Sequence, residues 1–271
     1  MGNSHWTIYP LLLGEADVPR VLDTFWSLSR DTSIVTVPVL AWLLLPTEAG
    51  EPILVDTGFR DAERCMQVHG LGPHRSLPQW SLQAQLARYG LAVEQVGKVI
   101  LTHLHYDHAG QCLALPNAQF LVQRSELQAA AAPLAPPSLN IGGGALFYDR
   151  QDIAALIDPL WSRVVLLEGN EEVFPGVSCV LYANTHTPGS QAVYVQTASG
   201  TAVILGDIAR NVQMNITQGI PPGLFYDLEA TRRALRRIER EATFALPSHD
   251  YEMIARYGDG LPGPLRSVPS L

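Results

Sequence analysis

Charge is scarce in this sequence, and what there is leans acidic: Asp, Glu, Lys and Arg make up 16% of 271 residues, and the formal net charge is -8. A partner that is mainly phosphate backbone demands clustered Lys and Arg, so nucleic acid is not an expected partner and a small-molecule substrate is. Cysteine is scarcer still. Cys65, Cys112 and Cys179 are odd in number, far apart and without CxxC spacing, which argues against a disulfide framework or a zinc ribbon and leaves reduced core or surface thiols. No run reaches the roughly 20 apolar residues that span a bilayer, so no membrane association is expected. The apolar patch IYPLLLG near the N-terminus has no basic stretch before it and no small-residue cleavage site after it, so the expected location is the cytoplasm.

Apolar material is plentiful by contrast, at 47% of the chain, enough for a large core. It falls in short β-branched runs at 34–45, 52–58, 98–103, 119–123, 164–168, 177–183, 192–197 and 201–207, which read as strands, several of them buried on both faces. Pro38 and Pro52 favour edge or first-residue positions in their strands. Helical windows lie between them at 81–90, 125–132 and 227–242. In the last, Leu228, Thr231, Ala234, Leu235 and Ile238 make one stripe behind Asp227 as N-cap, and its five arginines read as a solvated face, or else an anion site. The Pro/Gly-rich stretch 133–148 reads as a loop, either a bland surface segment or a lid. No composition shift divides the chain, so residues 1–271 are expected to form one α/β domain with mixed sheets and outer helices.

Histidine is used unevenly. Three of the eight fall within LTHLHYDHAG, residues 101–110, at the end of the KVILTH strand. His103 and His105, two apart in extended chain, point the same way, and Asp107 and His108 turn back where AGQCLAL suggests a helix. Imidazole suits zinc, and a carboxylate adds a hard oxygen and negative charge. A lone histidine is usually a satisfied core or surface residue, the reading given to His5, His69 and His74. H-x-H-x-D-H is too dense for that. His186 in THTPGSQ, Asp207 in VILGD and His249 in LPSHD each end an apolar strand, where an ionisable group needs a partner or a metal, and convergence on the first cluster accounts for all three. Seven ligands exceed what one tetrahedral zinc takes.

The motifs HLHYDHAG, HTPGSQ, GD at 206–207 and SHD at 248–250, with DTG at 56–58 upstream, resemble the metallo-β-lactamase fold superfamily, and within it the N-acyl homoserine lactonase and pyridoxolactonase group. The resemblance implies a four-layered αβ/βα sandwich with the site at the sheet edges. It implies two divalent metal ions, zinc first with iron, manganese or cobalt as alternatives. His103, His105 and His186 would hold one, Asp107, His108 and His249 the other, and Asp207 would bridge them. The implied activity is opening of a lactone ester by a metal-bridging hydroxide, a quorum-quenching reaction if the ring is a homoserine lactone, with Asp107 orienting the nucleophile and shuttling its proton to the leaving alkoxide. Asp56 resembles a structural aspartate that orients a ligand from behind. Relatives often dimerise, which keeps a homodimer open. The chain departs from the lactonase pattern at Arg210, which stands where those enzymes carry a substrate-binding tyrosine. Arg210 is therefore a candidate for carbonyl or carboxylate binding, or else a surface residue paired with an acid, and Tyr106, Tyr148 and Tyr226 are candidates to supply the missing hydroxyl. The alternatives are a thioesterase of the glyoxalase II kind and an iron-dependent redox enzyme of the same fold.

Overall fold

The computed structural model describes residues 5–24, 33–69, 72–132 and 147–261. Strands β1 (Trp6–Pro19), β2 (Ile34–Pro46), β3 (Ile53–Val55), β4 (His74–Arg75), β5 (Lys98–Ile100), β6 (Gln119–Gln123) and β7 (Val164–Leu167) form one mixed sheet in the order β4-β1-β2-β3-β5-β6-β7. A second sheet holds β8 (Glu171–Phe174), β9 (Val177–Leu181), β10 (Gln191–Thr197), β11 (Gly200–Gly206) and β12 (Phe244–Pro247) in the order β12-β11-β10-β9-β8. The chain is parallel across β3, β5, β6 and β7 and again across β11 and β12, and antiparallel elsewhere.

Alternation along each strand makes the layers. On β2, Leu40, Trp42 and Leu44 face Val193, Ile204 and Leu246 of the second sheet, while Ala41 and Leu43 face outward. On β11, Ala202 and Ile204 point between the sheets, and Val203 and Leu205 point away. The outer face of the first sheet is covered by α2 (Leu82–Ala87), α4 (Arg124–Ala131) and α5 (Arg150–Ile157), with α1 (Ala62–His69) and α3 (Tyr106–Ala109) beside them. Its counterpart is α6 (Leu228–Glu241), whose Ala234, Leu235 and Ile238 pack on β11, followed by α7 (Glu252–Tyr257). This is the four-layered αβ/βα arrangement. Each large apolar side chain buried this way contributes about 1.5–3 kcal/mol, and Trp42, Phe120 and Leu54 are among those fully enclosed.

Two details depart from the sequence reading. Pro38 lies on an interior strand, not an edge strand, paired with Glu15 of β1. The reason is local: β3 pairs only with Trp42, Leu43 and Leu44, so the Pro38 side of β2 faces no strand and the missing N–H costs no ladder bond. The helix expected over AGQCLAL, 109–115, is displaced: α3 covers Tyr106–Ala109 with His105 in extended conformation as its N-cap, and only a short 3-10 turn, Cys112–Ala114, follows. Asp227 does cap α6, accepting from the Ala230 N–H at 2.6 Å; Arg232, Arg233, Arg236 and Arg240 are exposed, and the half-buried Arg237 pairs with Glu241. All three cysteines are free and buried, and burial pushes the Cys179 thiol up to about 12. No helix among the described residues is long and apolar enough to cross a membrane. Of the stretch 133–148, only Phe147 and Tyr148 fall within the described residues, so the lid reading lies outside them; so does the side chain of His69.

Candidate metal centre

Parallel strands end at the same edge of a sheet, and that edge collects the polar outliers. Asp56 follows β3, His103 follows β5, Asp207 follows β11 and His249 follows β12, while His186 sits in the connection from β9 to β10. The two sheets close on one another there through Gly206. Its φ is +51°, and a Cβ built on it would stand 2.5 Å from Thr102 Oγ1, so the approach is one that only glycine permits.

All seven residues singled out as ligands come to one place. The ligating atoms of His103, His105 and His186 lie within 4.8 Å of one another, as do those of Asp107, His108 and His249; a third grouping, His103, His108 and Asp207, joins the two. His105 Nδ1 is 3.1 Å from His103 Nε2 and 3.0 Å from His186 Nε2. Nitrogens bound to one tetrahedral zinc at about 2.0–2.1 Å stand roughly 3.3–3.4 Å apart, so this spacing suits a shared cation. Asp207 Oδ1 lies 3.0 Å from His249 Nε2 and 3.3 Å from His108 Nε2, and Asp107 Oδ2 lies 3.4 Å from His249 Nε2. Yet Asp207 Oδ1, His108 Nε2 and His249 Nε2 are buried without an aligned hydrogen bond. Buried polar atoms turned toward a common point and left unpaired fit a divalent cation.

The outer faces of the rings explain why the inner faces converge. His108 Nδ1 donates to Asp56 Oδ2 at 2.8 Å, His249 Nδ1 to the Pro38 carbonyl at 2.8 Å and His186 Nδ1 to the Leu224 carbonyl at 3.2 Å. The Thr102 hydroxyl donates to Asp56 Oδ2 at 2.8 Å, leaving its oxygen to accept from His103 Nδ1 at 3.1 Å. Each bond fixes a tautomer with Nε2 facing inward. Electrostatics differ within the cluster. Burial, then His108, His105 and His186, hold the His103 pKa well below the ordinary imidazole value, and burial lowers that of His186; both are therefore neutral, the form that ligates. Burial pulls His108 down too, but Asp107 and Asp56 outweigh it and raise it. Burial opposes the Asp207 carboxylate, and His249 and Arg210 overcome that and hold its pKa well below the usual range.

Asp56 has φ of +62°, a left-handed conformation that asparagine also tolerates. Asp56→Asn thus keeps the backbone while presenting a donor to His108 Nδ1–H. We expect zinc affinity to fall by about 10–100-fold in competition with a chromophoric chelator, with folding unchanged by circular dichroism; undiminished affinity would contradict the orienting role.

The remaining candidates fall differently. Arg210 is buried, with Nη1 2.6 Å from Asp207 Oδ2 and Nε 3.2 Å from Asp23 Oδ1. Burial works against its charge, but Asp207 and Asp23 more than compensate and raise its pKa. Tyr226 is 67% exposed, its backbone tied to Thr185 next to His186. The Tyr148 hydroxyl donates to Glu126, and that of Tyr106 is 2.7 Å from His74 Nε2, whose Nδ1 faces the Gly72 carbonyl, so His74 is a satisfied core residue. Sequence reasoning missed Glu126. Wholly buried, it accepts from Leu104 N and Tyr148 Oη at one oxygen and from Thr187 Oγ1 and Gly189 N at the other, at 2.7–3.0 Å. It thereby ties the His103–His105 turn to the His186 turn. A glutamate in the first turn of a helix gives no sequence signal of this.

A small cleft adjoins the cluster, lined by the apolar Ala16, Val18, Leu22, Val37 and Leu224 and by His105, Asp107, His186, Asp207 and His249 of the cluster itself. The sequence model of the metallo-beta-lactamase superfamily matches residues 34–249. An N-acyl homoserine lactonase from Bacillus cereus is 28% identical over 235 residues, covering 81% of this chain and 84% of that one. The N-acyl homoserine lactonase AiiB of Agrobacterium fabrum is 26% identical over 280 residues, covering 94% and 96%. Among solved structures, an N-acyl homoserine lactone hydrolase with N-hexanoyl-L-homoserine bound at its catalytic metal centre has a TM-score of 0.74 at 23% identity, covering 92% and 95%. The dizinc quorum-quenching lactonase AidC has a TM-score of 0.66 at 16% identity, covering 92% and 89%.

Proposed function

This chain belongs to the metallo-beta-lactamase superfamily, and from that premise we propose that it is a metal-dependent hydrolase that opens lactones, its residues 1–271 acting as one domain. The observation that carries the reading is the convergence of five imidazoles and two carboxylates, drawn from several strand ends, beside a small cleft. An all-His and Asp set without thiolate is the donor chemistry of hydrolytic sites, whereas closed structural zinc sites favour cysteine. The lactonase names of the relatives and the hydrolysis product in a structural neighbour support the same reading.

In this proposal His103, His105 and His186 hold one divalent cation, Asp107, His108 and His249 a second, and Asp207 stands between them. Bound there, such cations would acidify water and polarise an ester carbonyl. The chain's own contributions are separable from that. Asp56, Pro38, Leu224 and Thr102 fix the imidazoles from behind, so no reorganisation is needed during reaction. Asp107 is the least buried of the seven, its side chain 14% exposed where the other carboxylate, Asp207, is 5%. It therefore meets both the cleft and the ligand cluster, the position needed to take a proton from the attacking water and return it to the leaving alkoxide. The apolar wall suits a lactone bearing an apolar arm and lowers the water content around the reacting bond.

A panel of lactones, thioesters and β-lactams, followed by proton release with metal-replete protein, tests the proposal. Turnover of lactones that disappears on chelation and returns with zinc is the expected result. Turnover of thioesters alone, or activity indifferent to chelation, would contradict it.

A further inference from the structure

Asp207 does not present its two oxygens alike. Oδ1 is turned toward His108 and His249 and bonds to neither. Oδ2 lies 3.6 Å from His186 Nε2 but 2.6 Å from Arg210 Nη1, in an ion pair. Arg210 cannot swing aside as a surface arginine does. Its Nε bonds Asp23 at 3.2 Å, its backbone N–H bonds Asn215 Oδ1 at 2.7 Å, and Asn215 Nδ2 in turn holds the Asp23 carbonyl at 2.9 Å. The guanidinium is thus a fixed positive charge already bound to the oxygen that a cation among His103, His105 and His186 would need.

The two groups also differ in charge. The group of Asp107, His108 and His249 contains a carboxylate and has Asp207 Oδ1 beside it. The other group is made of imidazoles alone. A dication there gains less from its ligands, competes with Arg210 for Asp207 Oδ2 and is repelled by the same guanidinium.

We infer that Arg210 is a positioning residue that makes the two cation sites unequal: the first ion binds at Asp107, His108 and His249, and the second binds more weakly at His103, His105 and His186. This rests on the metal-dependent reading proposed above. Through Asp23 the same arginine is tied to the turn Arg20–Leu22 that follows β1, whose Leu22 lines the cleft.

The test is a zinc titration of the metal-stripped full chain against a chromophoric chelator, with stoichiometry from elemental analysis. The wild type should show two steps separated by at least about tenfold. Arg210→Met should tighten the weaker step by about tenfold or more, because it removes a repelling positive charge and frees Asp207 Oδ2 for the ion, and leave the tighter step nearly unchanged. Arg210→Lys keeps the charge and should keep the separation, which a role confined to packing would not predict. Two equal ions in the wild type, or parallel weakening of both steps in Arg210→Met, would overturn the inference while leaving the metal-dependent reading intact. No zinc bound at the cluster would overturn that reading and the inference with it. Should Arg210→Met fail to fold, Arg210→Gln replaces it, with the same tightening of the weaker step expected.

Discussion

Asp107→Asn is expected to lower kcat for lactone opening by about 10²–10⁴-fold, the range for loss of a positioned proton shuttle, with KM changed only a few-fold. Asparagine retains a carbonyl oxygen that can ligate, so the variant separates the proton role from metal retention. The measurement is steady-state turnover at saturating zinc, with bound metal determined on the same sample. Asp107 carries this expectation because it is the more exposed of the two carboxylates at the cluster, lines the cleft and lies 3.4 Å from His249, whereas Asp207, which also lines the cleft, is held by Arg210. Full metal occupancy with undiminished kcat would remove Asp107 from the reaction.

Glu126→Ala is expected to lower folding stability by about 3–5 kcal/mol, the cost of breaking a buried, fully bonded carboxylate network. Four donors, Leu104 N, Gly189 N, Thr187 Oγ1 and Tyr148 Oη, would lose their acceptor where water cannot replace it. Glu126→Gln preserves volume but sets an amide N–H against a backbone N–H, so a smaller loss of about 1–3 kcal/mol is expected. Burial raises the Glu126 pKa and the four donors lower it, with burial dominant. Urea denaturation of wild type and both variants measures the differences. Because the network links the His103–His105 turn to the His186 turn, both variants should also weaken zinc binding at those three residues. A loss below 1 kcal/mol in Glu126→Ala would show that the turns hold their places without it.

Much of this architecture was legible because apolar patterning is local. The run QFLVQ became β6 over the same residues, 119–123, and the stripe behind Asp227 became α6. The clustering of the candidate ligands was legible for a related reason: histidine and aspartate at the ends of apolar strands are costly unless they meet something. What escaped was non-local. Strand β1 spans 14 residues, but Pro10, Gly14 and Pro19 interrupt its pattern, and it is held by register with β2 across a bulge between Leu12 and Gly14. Arg210 finds Asp23 across 187 positions, so no window of sequence could distinguish a substrate-binding arginine from an ion-paired one. Glu126 reaches partners at Leu104 and Thr187 from opposite directions along the chain. Tyr226 looked equivalent to Tyr106 and Tyr148, but it is exposed, whereas they are buried with hydroxyls at His74 and Glu126.

Seven side chains from distant parts of the chain are proposed to hold divalent cations. Anomalous X-ray diffraction from crystals of the zinc-loaded protein, recorded above and below the zinc absorption edge, tests this most directly. Peaks about 2.0–2.2 Å from ligating atoms are predicted, one among His103, His105 and His186 and one among Asp107, His108 and His249, with Asp207 between. Zinc-loaded crystals with no anomalous peak at this cluster would contradict the account.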